Sequence, residues 1–146
     1  MSTKIKLTVL KQPSPHDPSV PITRLLVGVA FRTYNGLTKS YRAIVDTGAP
    51  TSLLPFSVWR PCRALKLRET VISGIVARKE CELPVIEAAV ACMLSDDQSA
   101  LPEMVIRAHL APHDNVPLLI GFGGILDRVI LHCSVPMGTA YLELKE

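Results

Sequence analysis

From Lys4 to Leu10 polar and apolar residues alternate, the period of a strand with one buried face. Gln12 to Pro21 then carries four prolines in ten residues. Neither a strand interior nor a helix tolerates that density, so an extended surface loop is expected. Arg24 to Phe31 is apolar and rich in branched residues, hence a strand, and Asn35-Gly36 is a hairpin turn signal because both residues accept positive φ. The return strand is expected over about Lys39 to Val45, and a short one over Thr51 to Leu54, stopped by Pro55. Further strands are expected over Arg68–Val76, Val85–Met93, Met104–Ala111 and Tyr141–Leu144. Ser95 to Ser99 is an acidic solvated loop. Only one helix is expected, about Gly124 to Leu131, where Ile125, Leu126, Val129 and Ile130 recur at helical spacing.

Many short strands punctuated by prolines predict an all-β closed barrel or folded sandwich with one short helix. A length of 146 residues fits one domain over 1–146, with residues 1–21 as an N-terminal strand plus proline-rich extension. Hydrophobic residues at 48% against 20% charged permit a packed core and argue against disorder.

Charge narrows the functional classes. The net charge of +3 is spread over scattered lysines and arginines, and aromatics are only 5% of the chain. Nucleic-acid binding needs a concentrated basic footprint and is not expected. The N-terminal stretch has no apolar run of signal-peptide length, and no later run is long enough to span a bilayer. A soluble, cytoplasmic protein without membrane association is the expectation. Cys62, Cys81, Cys92 and Cys133 are widely spaced, so reduced core thiols are expected rather than a metal site.

The chemistry concentrates in Ala43-Ile44-Val45-Asp46-Thr47-Gly48-Ala49-Pro50-Thr51-Ser52-Leu53-Leu54. Asp-Thr-Gly alone often forms a mere turn. Here an apolar strand delivers the carboxylate to a tight loop and a second apolar strand leaves at once. The run resembles the signature of the retropepsin-like aspartic peptidases: apolar-apolar-Asp-Thr-Gly-Ala-x-Thr/Ser-apolar-apolar. Val71-Ile72-Ser73-Gly74-Ile75-Val76 stands where that family carries its β-hairpin flap tip. Val116-Pro117-Leu118-Leu119-Ile120-Gly121 resembles its apolar-apolar-Gly element, and the resemblance extends over about Ile22 to Leu144.

The resemblance implies an aspartic endopeptidase active as a homodimer on peptide or protein substrates, with no cofactor. Hydrolysis without a metal or covalent nucleophile needs one group to activate water and another to protonate the carbonyl. Two facing carboxylates sharing a proton supply both, since like charges in contact cannot both ionise. This chain offers one such residue, Asp46, so a two-fold dimer must bring two copies together. By resemblance Thr47 bonds across the dimer axis, Gly48 admits the substrate backbone, and Ile72, Ser73, Gly74 and Ile75 close over the peptide. Gly121 is expected to serve packing. Ala49, unlike a serine, cannot donate a hydrogen bond to the catalytic carboxylate, so activity is expected from mildly acidic towards neutral pH.

Several positions depart from the family. Pro50 stands where a small polar or acidic residue is usual and removes a backbone donor beside the loop. Phe122-Gly123-Gly124 is a looser helix start, and Leu131 to Gly138 is a longer connection than viral members use. A second function therefore stands beside hydrolysis: a catalytically weak or inactive peptide-binding or dimerisation module on the same fold.

Overall fold

The structure, a computed structural model, describes residues 2–73 and 82–146. Alternation makes β1 (Ser2–Pro13) and β2 (Pro21–Thr33), which pair as a long antiparallel hairpin. The prolines cut less deeply than expected: Pro13 and Pro21 are register partners at the hairpin's end, and only residues 14–20 form the turn. A strand end needs no ladder donor on its outer side, so proline is tolerated there. Ser14 donates its backbone N–H to the Val20 carbonyl at 3.0 Å to close the turn.

After a two-residue turn at Tyr34-Asn35, one position before the expected Asn35-Gly36, come β3 (Gly36–Leu37), β4 (Tyr41–Val45) and β5 (Ser52–Leu54); only Gly36 takes positive φ. A single helical turn, α1 (Phe56–Trp59), follows Pro55, a residue preset for a helix start. It was not expected from the apolar pattern, because four residues carry no periodicity. Its first turn is tied down by Asp114 Oδ1, which accepts from Ser57 N at 2.7 Å. Then come β6 (Ala64–Ile72), β7 (Leu83–Ser95), β8 (Met104–Leu110) and β9 (Leu119–Ile120). The chain ends in the hairpin β10 (Ile130–Ser134) and β11 (Thr139–Lys145).

The helix expected over about Gly124–Leu131 is reduced to a single turn that starts two residues earlier. One helical turn covers Phe122–Leu126, with Gly123 and Gly124 outside helical backbone values, and Ile130 already belongs to β10. Gly124 sits at φ +92°, and a Cβ there would lie 2.3 Å from the Val105 carbonyl oxygen. The segment is pressed too closely onto β8 for a regular helix to start.

The strand order is β10-β11-β1-β2-β4-β9-β5-β8-β7-β6, with an additional β2–β7 pairing. That pairing, Gly28 to Phe31 against Ser95 to Cys92, closes β2, β4, β9, β5, β8 and β7 into a barrel. Val27, Val29 and Phe31 from β2, Val90 and Cys92 from β7, and Ile106 from β8 fill it, each at most 1% exposed. Burial pushes the Cys92 thiol up to about 12 and the Cys62 thiol up to about 11, as suits reduced core thiols. Cys133, by contrast, is exposed on β10 and is not a core residue. The N-terminal strand bridges the barrel to the last hairpin, since β1 pairs with both β2 and β11.

Candidate active site

The site is built from two parallel strands that end side by side. β4 and β9 pair in parallel, with Ile44 beside Leu119 and Val45 beside Ile120. Ala43 and Val45 point into the core, which fixes the register and leaves Asp46 at the strand's mouth, half-buried. Asp46 N donates to the Ile120 carbonyl at 2.9 Å, so the ladder holds the residue to its last atom. Beyond it the chain turns sharply. Gly48 N donates to Asp46 Oδ1 at 2.9 Å, and Ala49 N donates to the Asp46 carbonyl at 3.2 Å. The carboxylate is thus aimed by its own loop, an Asx turn.

A second loop buttresses the first. Phe122 N donates to the Ala49 carbonyl at 2.9 Å and Gly123 N to the Pro50 carbonyl at 3.0 Å. Gly121 N donates to the hydroxyl of Ser52 at 3.0 Å. Ser52 is fully buried, and sequence reasoning missed it. The one signal was a hydroxyl beside two leucines in a strand whose residues are all buried. Gly121 matches its expected packing role: an added Cβ would meet the Ala49 carbonyl oxygen at 2.6 Å and Thr51 backbone atoms at 3.0 Å.

Of the other expected site residues, Thr47 is exposed at the loop tip, Gly48 is exposed, and Ala49 is half-buried under the second loop. Ile72 ends β6 and packs partly buried against a small apolar cluster, while Ser73 is exposed just beyond it. Gly74 and Ile75 lie outside the described residues. The cluster comprises Leu53, Leu83, Val85, Ala111, Val116 and Leu119, separate from the barrel core, with Ile44 at its edge. Leu119 and Ile44 also border a cavity of about 420 Å³ that Asp46 and Thr47 share with Ile22 to Leu25 of β2. One carboxylate therefore stands where an apolar floor meets an open cavity.

No family model and no curated protein matches the chain. Among solved structures it is similar to a retropepsin-like aspartic protease from Rickettsia conorii, with a TM-score of 0.54 and 12% identity, over 99% of this chain and 92% of that one. The chain has the retropepsin-like fold. Its all-β barrel, with β6 and β7 paired antiparallel and a short helical turn after β9, is the architecture expected from sequence. Within that fold the two buttressed loops occupy adjacent ends of β4 and β9, and Pro50 accommodates its missing N–H because its carbonyl, not its nitrogen, takes part in the buttress.

Proposed function

We propose that the chain is an aspartic endopeptidase, active as a homodimer, that hydrolyses peptide bonds in extended peptides. One observation carries the reading: a carboxylate aimed by its own Asp-Thr-Gly turn, buttressed by a second loop, on a retropepsin-like fold. In this reading two copies of Asp46 face each other across a two-fold axis. One, ionised, takes a proton from water as that water attacks the scissile carbonyl carbon. The other, protonated, gives its proton to the carbonyl oxygen. On collapse of the tetrahedral adduct the first passes its proton to the leaving nitrogen while the second takes one from an adduct hydroxyl, so an amine and a carboxylic acid leave and the pair is restored. The apolar cluster from Ile44 and Leu53 to Ile72 would receive apolar side chains flanking the scissile bond.

The test is cleavage of a mixed peptide library across pH 3 to 7 by the wild type and Asp46→Asn, with and without a statine-type transition-state mimic. Cuts that vanish with both the substitution and the inhibitor are the expected result. Cleavage that survives Asp46→Asn would overturn the assignment. The second reading, a binding module, draws on Pro50, which removes a backbone donor beside the loop. It is favoured if the folded protein is a monomer at every concentration yet still binds extended peptides.

A further inference from the structure

Strand registers place six residues in one row across the sheet. Ile44 pairs with Leu119, Leu119 with Leu53, Leu53 with His109, His109 with Glu87, and Glu87 with Arg68. Register partners share a face, so the row begins apolar beside Asp46 and ends charged. The apolar half belongs to the cluster assigned above to substrate side chains. The charged half has no part in the proposed hydrolysis and calls for its own account.

Glu87 is only 8% exposed. Its Oε2 accepts from Arg68 Nε at 2.5 Å, and its Oε1 lies 3.8 Å from Arg107 Nη1. The carboxylate sits beneath two guanidinium groups whose side chains remain 70% and 53% exposed. Among the described residues, two cations over one buried anion leave one positive charge in surplus, and that surplus faces solvent. Burial lowers the pKa of His109 beside them, so the imidazole adds little to the charge near neutral pH. Arg107 also abuts the active loop's support: a Cβ at Gly123 would sit 3.1 Å from Arg107 Cβ and 3.1 Å from the Pro50 carbonyl oxygen. Arg107 thus packs beside the loop that buttresses Asp46.

We propose that Arg68 and Arg107, held around Glu87, form an outer substrate subsite that selects an acidic side chain in the extended peptide. The proposal rests on the substrate-cleft reading above. Neighbouring strands are about 4.8 Å apart, so β8 with Arg107 lies about 14 Å across the sheet from Ile44 and β6 with Arg68 about 24 Å, or about four to seven residues of extended peptide at about 3.3 Å each. The acidic residue belongs about four to seven positions from the scissile bond, with apolar residues between. A planar guanidinium suits a carboxylate better than an ammonium would, because it presents paired donors. Buried Glu87 fixes both arginines and limits the side-chain entropy lost on binding.

The test uses apolar-centred peptides that place Glu, Gln or Lys three to eight residues from the scissile bond. Cleavage by the wild type and binding to the Asp46→Asn variant are both measured. The expected result is a preference for Glu over Gln of about three- to tenfold, mainly in KM and in Kd, weakened by salt because the arginines are exposed. Arg107→Gln should reduce the preference and Arg107→Glu should turn it towards Lys, a reversal that misfolding cannot produce. Cleavage without any charge preference overturns the subsite and leaves the peptidase standing. Charge-selective binding without cleavage does the reverse. Failure to bind any of these peptides overturns both.

Discussion

Ser52→Ala isolates the link between the two loops at the candidate active site. In the wild type the Ser52 hydroxyl is fully buried and accepts the Gly121 N–H at 3.0 Å. Alanine keeps the strand and nearly the same volume but leaves a buried donor without an acceptor. Such a group costs about 1–3 kcal/mol, against at most about 1.5 kcal/mol if the loss were only that of an average hydrogen bond. For a chain of this size each kcal/mol lowers Tm by about 2–4 °C, so a fall of about 2–12 °C is expected. Urea denaturation and thermal melting should be run at one fixed protein concentration, because self-association would add its own stabilisation. Amide exchange localises the effect: the Gly121 N–H should be strongly protected in the wild type and should open first in the variant. A stability loss below about 0.5 kcal/mol with the Gly121 amide still protected would refute the reasoning, since the donor would then have another partner.

Gly121→Ala should cost more than the usual overpacking range of about 1–3 kcal/mol, because the obstacles at 2.6 and 3.0 Å are backbone atoms of the neighbouring loop that cannot rotate aside; a melting curve matching the wild type would disprove that packing. Phe31→Ala empties the centre of the barrel, where the ring is fully buried, and should cost about 3–5 kcal/mol in equilibrium unfolding. The hydrogen bond from Arg68, followed by the charges of Arg68 and Arg107, holds the Glu87 carboxyl below the usual range. Its stabilisation is therefore full above the unfolded value of about 4.3 and is lost as pH falls through the lower folded value. Stability measured from pH 6 down to pH 2 should fall less steeply in Glu87→Gln than in the wild type, and identical slopes would contradict the pairing.

The legible parts of the molecule were those written locally. The Asp46 loop could be read because an Asx turn needs only three consecutive residues, and strands such as β8 because alternate burial marks each position. What escaped depends on partners far along the chain. Ile125, Leu126, Val129 and Ile130 have helical spacing, yet Ile130 opens a strand because β11 lies ready to pair with Ile130 to Ser134. Gly123-Gly124 carried the contrary hint, but its force comes from the Val105 carbonyl on β8, which no local pattern reveals. β6 begins at Ala64, four residues before the expected start, because its exposed sequence has little alternation and its register comes from β7. Ser52 was hidden for the same reason, since its partner is 69 positions away.

The pairing of β1 with β11 has a consequence for synthesis. Ser2 to Leu7 wait for Lys145 to Ala140, the opposite end of the chain, before their ladder can form. At about 5–20 residues per second on a ribosome, that wait is on the order of ten seconds. Throughout it Ile5 and Leu7, both buried in the finished protein, lack the cover that Leu142 and Leu144 later provide. The β1–β2 hairpin is then a long arm with one open edge, and the final hairpin shuts it in a single late step. Closure of so distant a pair makes this slow β-type folding, with the nascent N-terminal edge as the surface most in need of a chaperone. Pulse-labelled exchange on stalled nascent chains would show it directly: amides of Lys4 to Leu7 on the β11 side should stay open until β11 has left the ribosome.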